Sequence, residues 1–459
     1  MKTIYCFLVF TIILFAGFIC GCEQFIEVDS PETSLTDNSV FFSDETAESA
    51  IVGIYVEMVQ SGSSFLSGED SFTWLGSLSS DELTGFFNDD RKFFEHNQLS
   101  ADNEFLLYQW RQLYSLIYST NAILEGIAGS KAMTASGKTL LEGEAKFIRA
   151  FLYYYLVSFW GDVPLVITTD YEENALMHRS SSSKVYNQII EDLIDAKRLL
   201  PKVSEAERTR PCRAAAKALL ARVYLHIAEW KNAEAEAATI IDQKGIYSLE
   251  DDLNNVFRKD SREVIWQVQP VVSQINTWDG YRFILVGAPT RVVLKQDLIN
   301  IFEVEDKRLA SWVNSFENGD KSYYYPFKYK IRYLPVGQSA QEYMVVFRLA
   351  EQFLIRAEAR VEMGDFDGAR ADLNVIRNRA GLSNIATVDE AVLRLAIQEE
   401  RRRELFTESG HRWLDLKRTG QANSVLAPIK PDWQPTDQAY PIPLTEIERN
   451  PKLTQNEGY

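Results

Sequence analysis

Two stretches of this chain carry the same spacing of small and large side chains, and this repeat limits the possible folds more than any other feature. The matching residues stand at identical offsets: Ala221, Tyr224, Ala233 and Ala237 in the first stretch, and Ala357, Arg360, Ala369 and Leu373 in the second. Small residues at such offsets let two paired helices cross closely, and a short polar turn divides each stretch. The repeat predicts helix hairpins in a mainly helical fold.

Each hairpin resembles the tetratricopeptide type, with unrelated amphipathic hairpins as the alternative. Apolar residues at three- and four-residue spacing predict further helices. The predicted helices span about 41–58, 104–125, 141–159, 183–200, 214–241, 346–379 and 389–406. The stretch 61–103 lacks periodicity and predicts a long irregular segment, whereas Glu263–Val268 alternates and predicts a strand. We divide the chain into an N-terminal helical part at 41–246 and a C-terminal part at 247–459, with a loop-rich segment at 247–343 and a helix pair near 346–379.

The N-terminus has the pattern of an export signal that ends at a cysteine. A basic residue precedes the apolar run Ile4–Ile19, and Cys22 follows a glycine, as in bacterial lipoproteins whose thiol is acylated. The run is slightly short for a membrane span of about 20 residues. We expect residues 1–21 to be a signal peptide, Cys22 to carry lipid and 22–40 to be a tether. An ordinary cleaved signal is the alternative.

The net charge limits the classes of binding partner, and the cysteine count limits the disulfide bonds that the chain can form. The net charge of −17 opposes nonspecific binding of nucleic acid, which needs a basic face. It also weakly disfavours polyanionic ligands, although a local arginine cluster could override this. After loss of the signal and acylation of Cys22 only Cys212 remains, so we expect no intramolecular disulfide.

No motif for catalysis or for a cofactor stands out. The four histidines are not paired at ligand spacing, and phosphate-binding and nucleophile motifs are missing from the sequence. Nothing selects a catalytic pair among the 65 acidic residues. A structural calcium ion is compatible with the acidic loops, but no ligand spacing demands it. We interpret the charged segment Glu399–Glu404 as a salt-bridged helix face.

Aromatic side chains beside short polar ones indicate sugar binding. A sugar ring packs its C–H face on Trp or Tyr, while Asp, Asn and Arg bind the hydroxyl groups. Two windows have this composition, Phe86–Arg91 and Gln274–Arg282, and Trp278 is the strongest single candidate. Trp110, Trp160 and Trp266 fit the core better. The candidate ligand-binding residues are Trp74, Phe86, Phe87, Asn88, Asp89, Arg91, Trp278, Asp279, Tyr281, Arg282 and Trp312.

Five sequence blocks, in order, resemble those of the SusD/RagB family of outer-membrane lipoproteins. Leu373–Leu382 is similar to its LNxIRxRAGL segment, and Glu400–Arg418 to its ERRxEL…GxRWxDLKR block. Pro441–Tyr459 is similar to its PIPxxEIxxNPxLxQNPGY tail, and Arg149–Leu165 and Glu263–Trp266 match further blocks. The tail has a glutamate where the family usually has proline, and a serine interrupts the second block. Both departures lie in expected scaffold.

The resemblance implies a fold of four tetratricopeptide-like helix pairs that carry an irregular portion. It also implies a surface lipoprotein of the outer membrane, facing outward, that captures oligo- or polysaccharides and closes like a lid on a SusC-like TonB-dependent transporter. No catalysis is implied. Family ligand residues lie in variable loops, so the resemblance transfers regions and not individual residues. The alternative function is a protein-interaction scaffold or a peptide-binding subunit without affinity for glycans.

Overall fold

The computed structural model describes residues 40–202 and 207–459, so the predicted signal peptide, Cys22 and nearly all of the tether lie outside the described residues. The helices are α1 Asp44–Val59, α2 Phe72–Ser79, α3 Lys92–His96, α4 Glu104–Gly129, α5 Ala135–Trp160, α6 Tyr171–Ala175, α7 Ser182–Leu199, α8 Arg213–His226, α9 Trp230–Ile241, α10 Trp278–Phe283, α11 Gln296–Asn300, α12 Lys307–Trp312, α13 Leu349–Glu362, α14 Phe366–Arg379, α15 Glu390–Leu405, α16 His411–Arg418, α17 Ala422–Leu426 and α18 Leu444–Arg449. The mainly helical fold is confirmed.

Short strands pair in four two-stranded antiparallel sheets within the described residues. The strands are β1 Leu83–Gly85, β2 Val163–Pro164, β3 Arg179–Ser180, β4 Val264–Val268, β5 Val292–Leu294, β6 Val313–Asn318, β7 Lys321–Pro326 and β8 Met344–Arg348. The sheets pair β1 with β5, β2 with β3, β4 with β8 and β6 with β7. The strand predicted at 263–268 is confirmed as β4, and the domain boundary at 246/247 stays a prediction.

The repeated small residues form the contacts between stacked helix hairpins. Ala221, Ala233 and Ala237 of the α8–α9 hairpin are fully buried against Ile355 and Ala359 of α13. The α13–α14 hairpin buries its own small residues against α15 in the same way. Further along the stack, α5 packs on α4 and α7, and α7 packs on α8. The hairpins predicted from the spacing are confirmed. Small side chains at these positions let the helix axes approach closely.

The stretch 61–103 is more regular than its composition predicts. It contains α2, β1 and α3, and all eight residues of α2 are buried. This helix packs on α16 through Gly76, where a β-carbon would stand 3.0 Å from the Cα of Gly410. The prediction of one long irregular segment was therefore wrong. Glycine and serine, which usually signal a loop, are here the small residues that let two helices touch.

The aromatic core surrounds Trp266 of β4. Its ring is fully buried and lies edge-on to Phe147, with ring centroids 4.9 Å apart, and stacks on Phe347 at 5.8 Å. The indole N–H finds an acceptor at the Thr209 carbonyl, as a buried tryptophan requires. Trp110 and Trp160 are buried in the same cluster. The assignment of these three tryptophans to the core is confirmed.

A network of buried ion pairs fixes the C-terminal helices to the strands. In the charged segment of α15, the predicted pair of Glu399 and Arg403 is present at 3.1 Å. Glu400 and Glu404, however, point inward and both pair with the fully buried Arg308, at 2.7 and 3.0 Å. We call this set the buried ion network. Its members are Glu263, Asp306, Arg308, Arg348, Arg379, Glu400 and Glu404.

Candidate functional site: an arginine cluster between aromatic side chains

The two windows predicted from the sequence meet at the carboxylate of Glu69. Arg91 of the first window pairs with Oε2 of this carboxylate. Arg282 of the second window places Nη1 3.0 Å from Oε1, and Arg291, which lies outside both windows, places Nε 2.9 Å from Oε2. The Glu69 side chain is only 5% exposed. Glu69 therefore holds three guanidinium groups together at the surface.

The loop before α2 positions Glu69 through its own backbone. The Glu69 N–H donates to the Gly62 carbonyl at 2.8 Å, which closes the loop on itself. The Gly68 N–H donates to Oδ1 of Asp279 at 2.9 Å and so ties the loop to α10. Gly68 has φ of +96°, a conformation that favours glycine. Ser71 then caps α2 and ends the loop.

Two aromatic rings of the second window make cation–π contacts with guanidinium groups. The rings of Trp278 and Tyr281 are perpendicular, with centroids 5.6 Å apart. The Arg282 guanidinium lies 5.5 Å from the Trp278 ring and 5.1 Å from the Tyr281 ring, and that of Arg332 lies 4.6 Å from the Tyr281 ring. Such cation–π contacts hold flexible arginines in place. Trp278 is itself fixed by its indole N–H, which donates to the Val59 carbonyl at 3.1 Å.

Two exposed aromatic rings flank the arginines. Tyr333 is 53% exposed, lies 6.4 Å from Tyr281 and donates its hydroxyl to Oε1 of Gln274 at 2.9 Å. Next to Arg291, Phe86 is exposed and meets Tyr323 edge-on at 6.1 Å. We call the whole set the arginine–aromatic surface. Its members are Glu69, Phe86, Arg91, Trp278, Tyr281, Arg282, Arg291, Tyr323, Arg332 and Tyr333.

Pairing of β1 with β5 brings Phe86 next to Arg291. Gly85 faces Val292 in this ladder, and the N–H of the next residue, Phe86, donates to the Arg291 carbonyl at 2.6 Å. The ladder thus joins the first window to a strand more than 200 residues later in the chain. Of the remaining residues of the first window, Phe87 is half-buried under Arg91, Asn88 is exposed and Asp89 pairs with Arg91 at 2.7 Å.

Burial contradicts three of the predicted ligand contacts. Trp74 is fully buried on α2 and stacks on Phe283 at 4.7 Å. Trp312 is equally buried and donates its indole N–H to the Leu253 carbonyl. Asp279 is buried beneath the Glu69 loop, where it accepts the Gly68 N–H. None of the three offers surface to a ligand, so we correct these assignments to structural roles.

Carboxyl groups under and beside the surface differ in how readily they ionise. Burial raises the pKa of Asp279 to about 7, and hydrogen bonds from Gly68 and Ser67 offset only part of that rise. Burial likewise raises the pKa of Asp70 to about 6, against the opposing charge of Arg91. At Asp89 burial also acts to raise the pKa, but the hydrogen bonds and charge of Arg91 outweigh it and lower the pKa. Burial therefore weakens the acidity of Asp279 and Asp70, whereas Arg91 favours the ionised form of Asp89.

Neither membrane-spanning helices nor metal clusters occur in the described residues. No helix there is long and apolar enough to cross a bilayer. Across 40–202 and 207–459, no three or more His, Cys, Asp or Glu side chains are grouped to hold a metal ion.

Two family models match separate parts of the chain. One, described as "Starch-binding associating with outer membrane", matches residues 24–225, and the other, described as "SusD family", matches residues 308–459. A relative from Formosa agariphila, SusD-like protein P25, is 25% identical in an alignment that covers 98% of this chain and 99% of its own.

Solved structures share the fold over nearly the whole chain. A SusD superfamily protein from Bacteroides vulgatus aligns with a TM-score of 0.80 at 22% identity, covering 91% of this chain and 99% of its own. A laminarin-binding SusD-like protein aligns with a TM-score of 0.75 at 24% identity, covering 90% and 99%. The helix hairpins and the irregular portion are thus those of SusD-like proteins. The chain belongs to the SusD/RagB family, a non-enzymatic family of glycan-binding proteins that is described as associating with the outer membrane.

Proposed function

We propose that this protein binds oligo- or polysaccharides at the arginine–aromatic surface and delivers them to a SusC-like TonB-dependent transporter. The observation that carries the proposal is the pair of exposed rings, Phe86 and Tyr333, that adjoin an ordered arginine cluster through Arg291 and Tyr281. Aromatic faces suit the C–H face of a sugar, and guanidinium groups suit its oxygens. Laminarin binding by a protein of the same fold supports this.

The proposal includes a lipid anchor at Cys22 on the outer face of the outer membrane. Its support is the cysteine that follows the apolar N-terminal run, together with the family description. Cys22→Ser is expected to abolish incorporation of labelled palmitate and to move the protein from the membrane fraction to the soluble fraction, because it removes the thiol at the expected acylation site. A Cys22→Ser protein that is still labelled and sedimented would place the anchor elsewhere.

Removal of an exposed ring is the direct test of glycan binding. Tyr333→Ala is expected to weaken binding by about 1–3 kcal/mol, by analogy with the stacking of other flat ligands on aromatic side chains. Affinity electrophoresis of the soluble protein through gels that contain laminarin, starch or acidic polysaccharides measures the change in the gel that retards the wild type. Phe86→Ala is expected to act in the same direction.

Tyr171 provides the matched control for this test. It is 76% exposed on α6, outside the arginine–aromatic surface, so Tyr171→Ala removes an equally large ring from another face. Retardation should persist in this variant. If the wild type passes every gel unretarded, or if Tyr333→Ala and Phe86→Ala bind like the wild type, the assignment of glycan binding to this surface is wrong. A transporter that still co-purifies with such a protein would favour the scaffold or peptide-binding alternative.

A further inference from the structure

Positive charge at the arginine–aromatic surface exceeds the negative charge that faces it. Arg91 has carboxylate partners beyond Glu69, because it also pairs with Asp89 and approaches Asp70 at 3.5 Å. Arg282 and Arg291 have no salt-bridge partner other than Glu69 among the described residues. The Glu69 carboxylate is therefore shared by Arg91 and by two guanidinium groups that make no other salt bridge among the described residues.

Arg332 adds a fourth guanidinium group to the surface, and this one has no counter-charge. Within residues 40–202 and 207–459 it makes no salt bridge, and its buried Nε has no hydrogen-bond partner. Its position is nevertheless fixed, because the guanidinium lies 4.6 Å from the centroid of the Tyr281 ring, which Arg282 also contacts. A cation held on an aromatic face and left unpaired is available to an anion from solution.

Several buried arginines of this chain, by contrast, are paired with carboxylates. Arg222 binds Glu351 through two hydrogen bonds of 2.6 and 2.8 Å. Arg418 binds Glu358 in the same two-pronged manner. In the buried ion network, three arginines meet four carboxylates. The surplus of arginine at the arginine–aromatic surface therefore contrasts with these interior groups, in which the carboxylates equal or outnumber the arginines, in a chain whose net charge is −17.

We infer that the glycan bound at this surface is anionic and that its carboxylate or sulfate groups pair with Arg282, Arg291 and Arg332. The inference rests on the proposed function, since it names the class of glycan for the same site. Arginine recognises both groups through paired N–H donors, and such charge-assisted hydrogen bonds are stronger than those to hydroxyl groups. The exposed rings of Phe86 and Tyr333 would then bind the sugar rings themselves.

Matched polysaccharide pairs test this inference. Polygalacturonate is compared with its fully methyl-esterified form, and carrageenan with uncharged agarose, so that each pair differs in charge on a similar backbone. The wild type is expected to bind at least one anionic member about tenfold or more tightly than its neutral partner. A preference within the polygalacturonate pair would indicate recognition of carboxylate, and a preference within the carrageenan pair would indicate recognition of sulfate. The preference should fall as salt is raised, because salt screens exposed charges.

Arg332→Gln is the decisive variant, because it removes a charge without breaking a salt bridge. It is expected to bind the anionic polymer about tenfold more weakly and the neutral one almost unchanged, and Arg332→Lys should recover part of the loss. Arg198→Gln is the control, since Arg198 is 68% exposed on α7, away from this surface. Circular dichroism checks that each variant is folded.

The outcomes separate this inference from the proposal on which it rests. Equal affinity for both members of every pair, or an Arg332→Gln variant that binds anionic polymer like the wild type, overturns the inference. In that case binding of a neutral glycan would leave the proposed function standing. Absence of binding to any polysaccharide would overturn both.

Discussion

Replacement of Glu404 by glutamine is expected to destabilise the protein by about 3–5 kcal/mol, the usual cost of removing one partner from a buried ion pair. Glu404 has no exposed side-chain surface, and its carboxylate pairs with Arg308, Arg348 and Arg379. Burial alone would raise its pKa, but the three guanidinium charges lower the pKa well below the usual value. A neutral glutamine would leave three buried cations with one counter-charge fewer.

The same carboxylate predicts a pH dependence with a definite sign. Because the folded-state pKa of Glu404 is lowered, its contribution to stability is complete above the pKa of an unfolded glutamate and is lost as the pH falls. The difference in unfolding free energy between the wild type and Glu404→Gln should therefore be constant near neutral pH. It should shrink below about pH 4.5.

Equilibrium unfolding in urea, followed by tryptophan fluorescence, measures the effect. Glu399→Gln on the same helix is the control, because Glu399 is 51% exposed and its partner Arg403 keeps Glu303 and Glu400 as counter-charges. That change is expected to cost less than about 1 kcal/mol. Similar losses in the two variants would show that the buried ion network does not hold α15 in place.

Helices were predictable because their signals are local. The apolar spacing in α4 and α5 repeats every three or four residues, and each set of repeated small residues lies within one helix hairpin. The inward direction of Glu400 and Glu404 was not predictable in the same way. Their partner Arg308 lies about 90 residues earlier in the chain, whereas the spacing within α15 reveals only the pair between Glu399 and Arg403.

Half of the members of the arginine–aromatic surface could be found from the sequence, because their signals are also local. In both windows, aromatic, amide and acidic residues follow one another in the sequence, and this composition indicates a binding site. Glu69, Arg291 and Arg332 have no such local signal, since they join the site only through a loop closure, the β1–β5 ladder and a cation–π contact. Trp74 was misassigned because a helix packed through glycine and serine has the composition of a loop.

Gly68→Ala is expected to damage both the fold and the site, because Gly68 shapes the loop that carries Glu69. A β-carbon at Gly68 would overlap the Gly62 carbonyl oxygen, which already accepts the Glu69 N–H. The backbone also has a φ of +96°, which strains any other residue. Backbone strain and overpacking each cost about 1–3 kcal/mol, so we expect a total loss of about 2–6 kcal/mol.

The effect on ligand binding should exceed what the loss of stability alone would produce. Relief of the overlap has to move the Gly62 carbonyl or the Gly68 N–H, and the latter is the donor that ties the loop to Asp279. Either movement displaces the Glu69 carboxylate, so the three arginines lose their common partner and glycan affinity is expected to fall about tenfold or more. Gly364→Ala is the matched control, since Gly364 has φ of +82° but open space around its Cα, and it should cost only about 1–2 kcal/mol with unchanged binding. Urea unfolding and affinity electrophoresis on both variants separate the two effects, and a folded Gly68→Ala protein that binds glycan like the Gly364→Ala protein would show that the loop does not position the arginines.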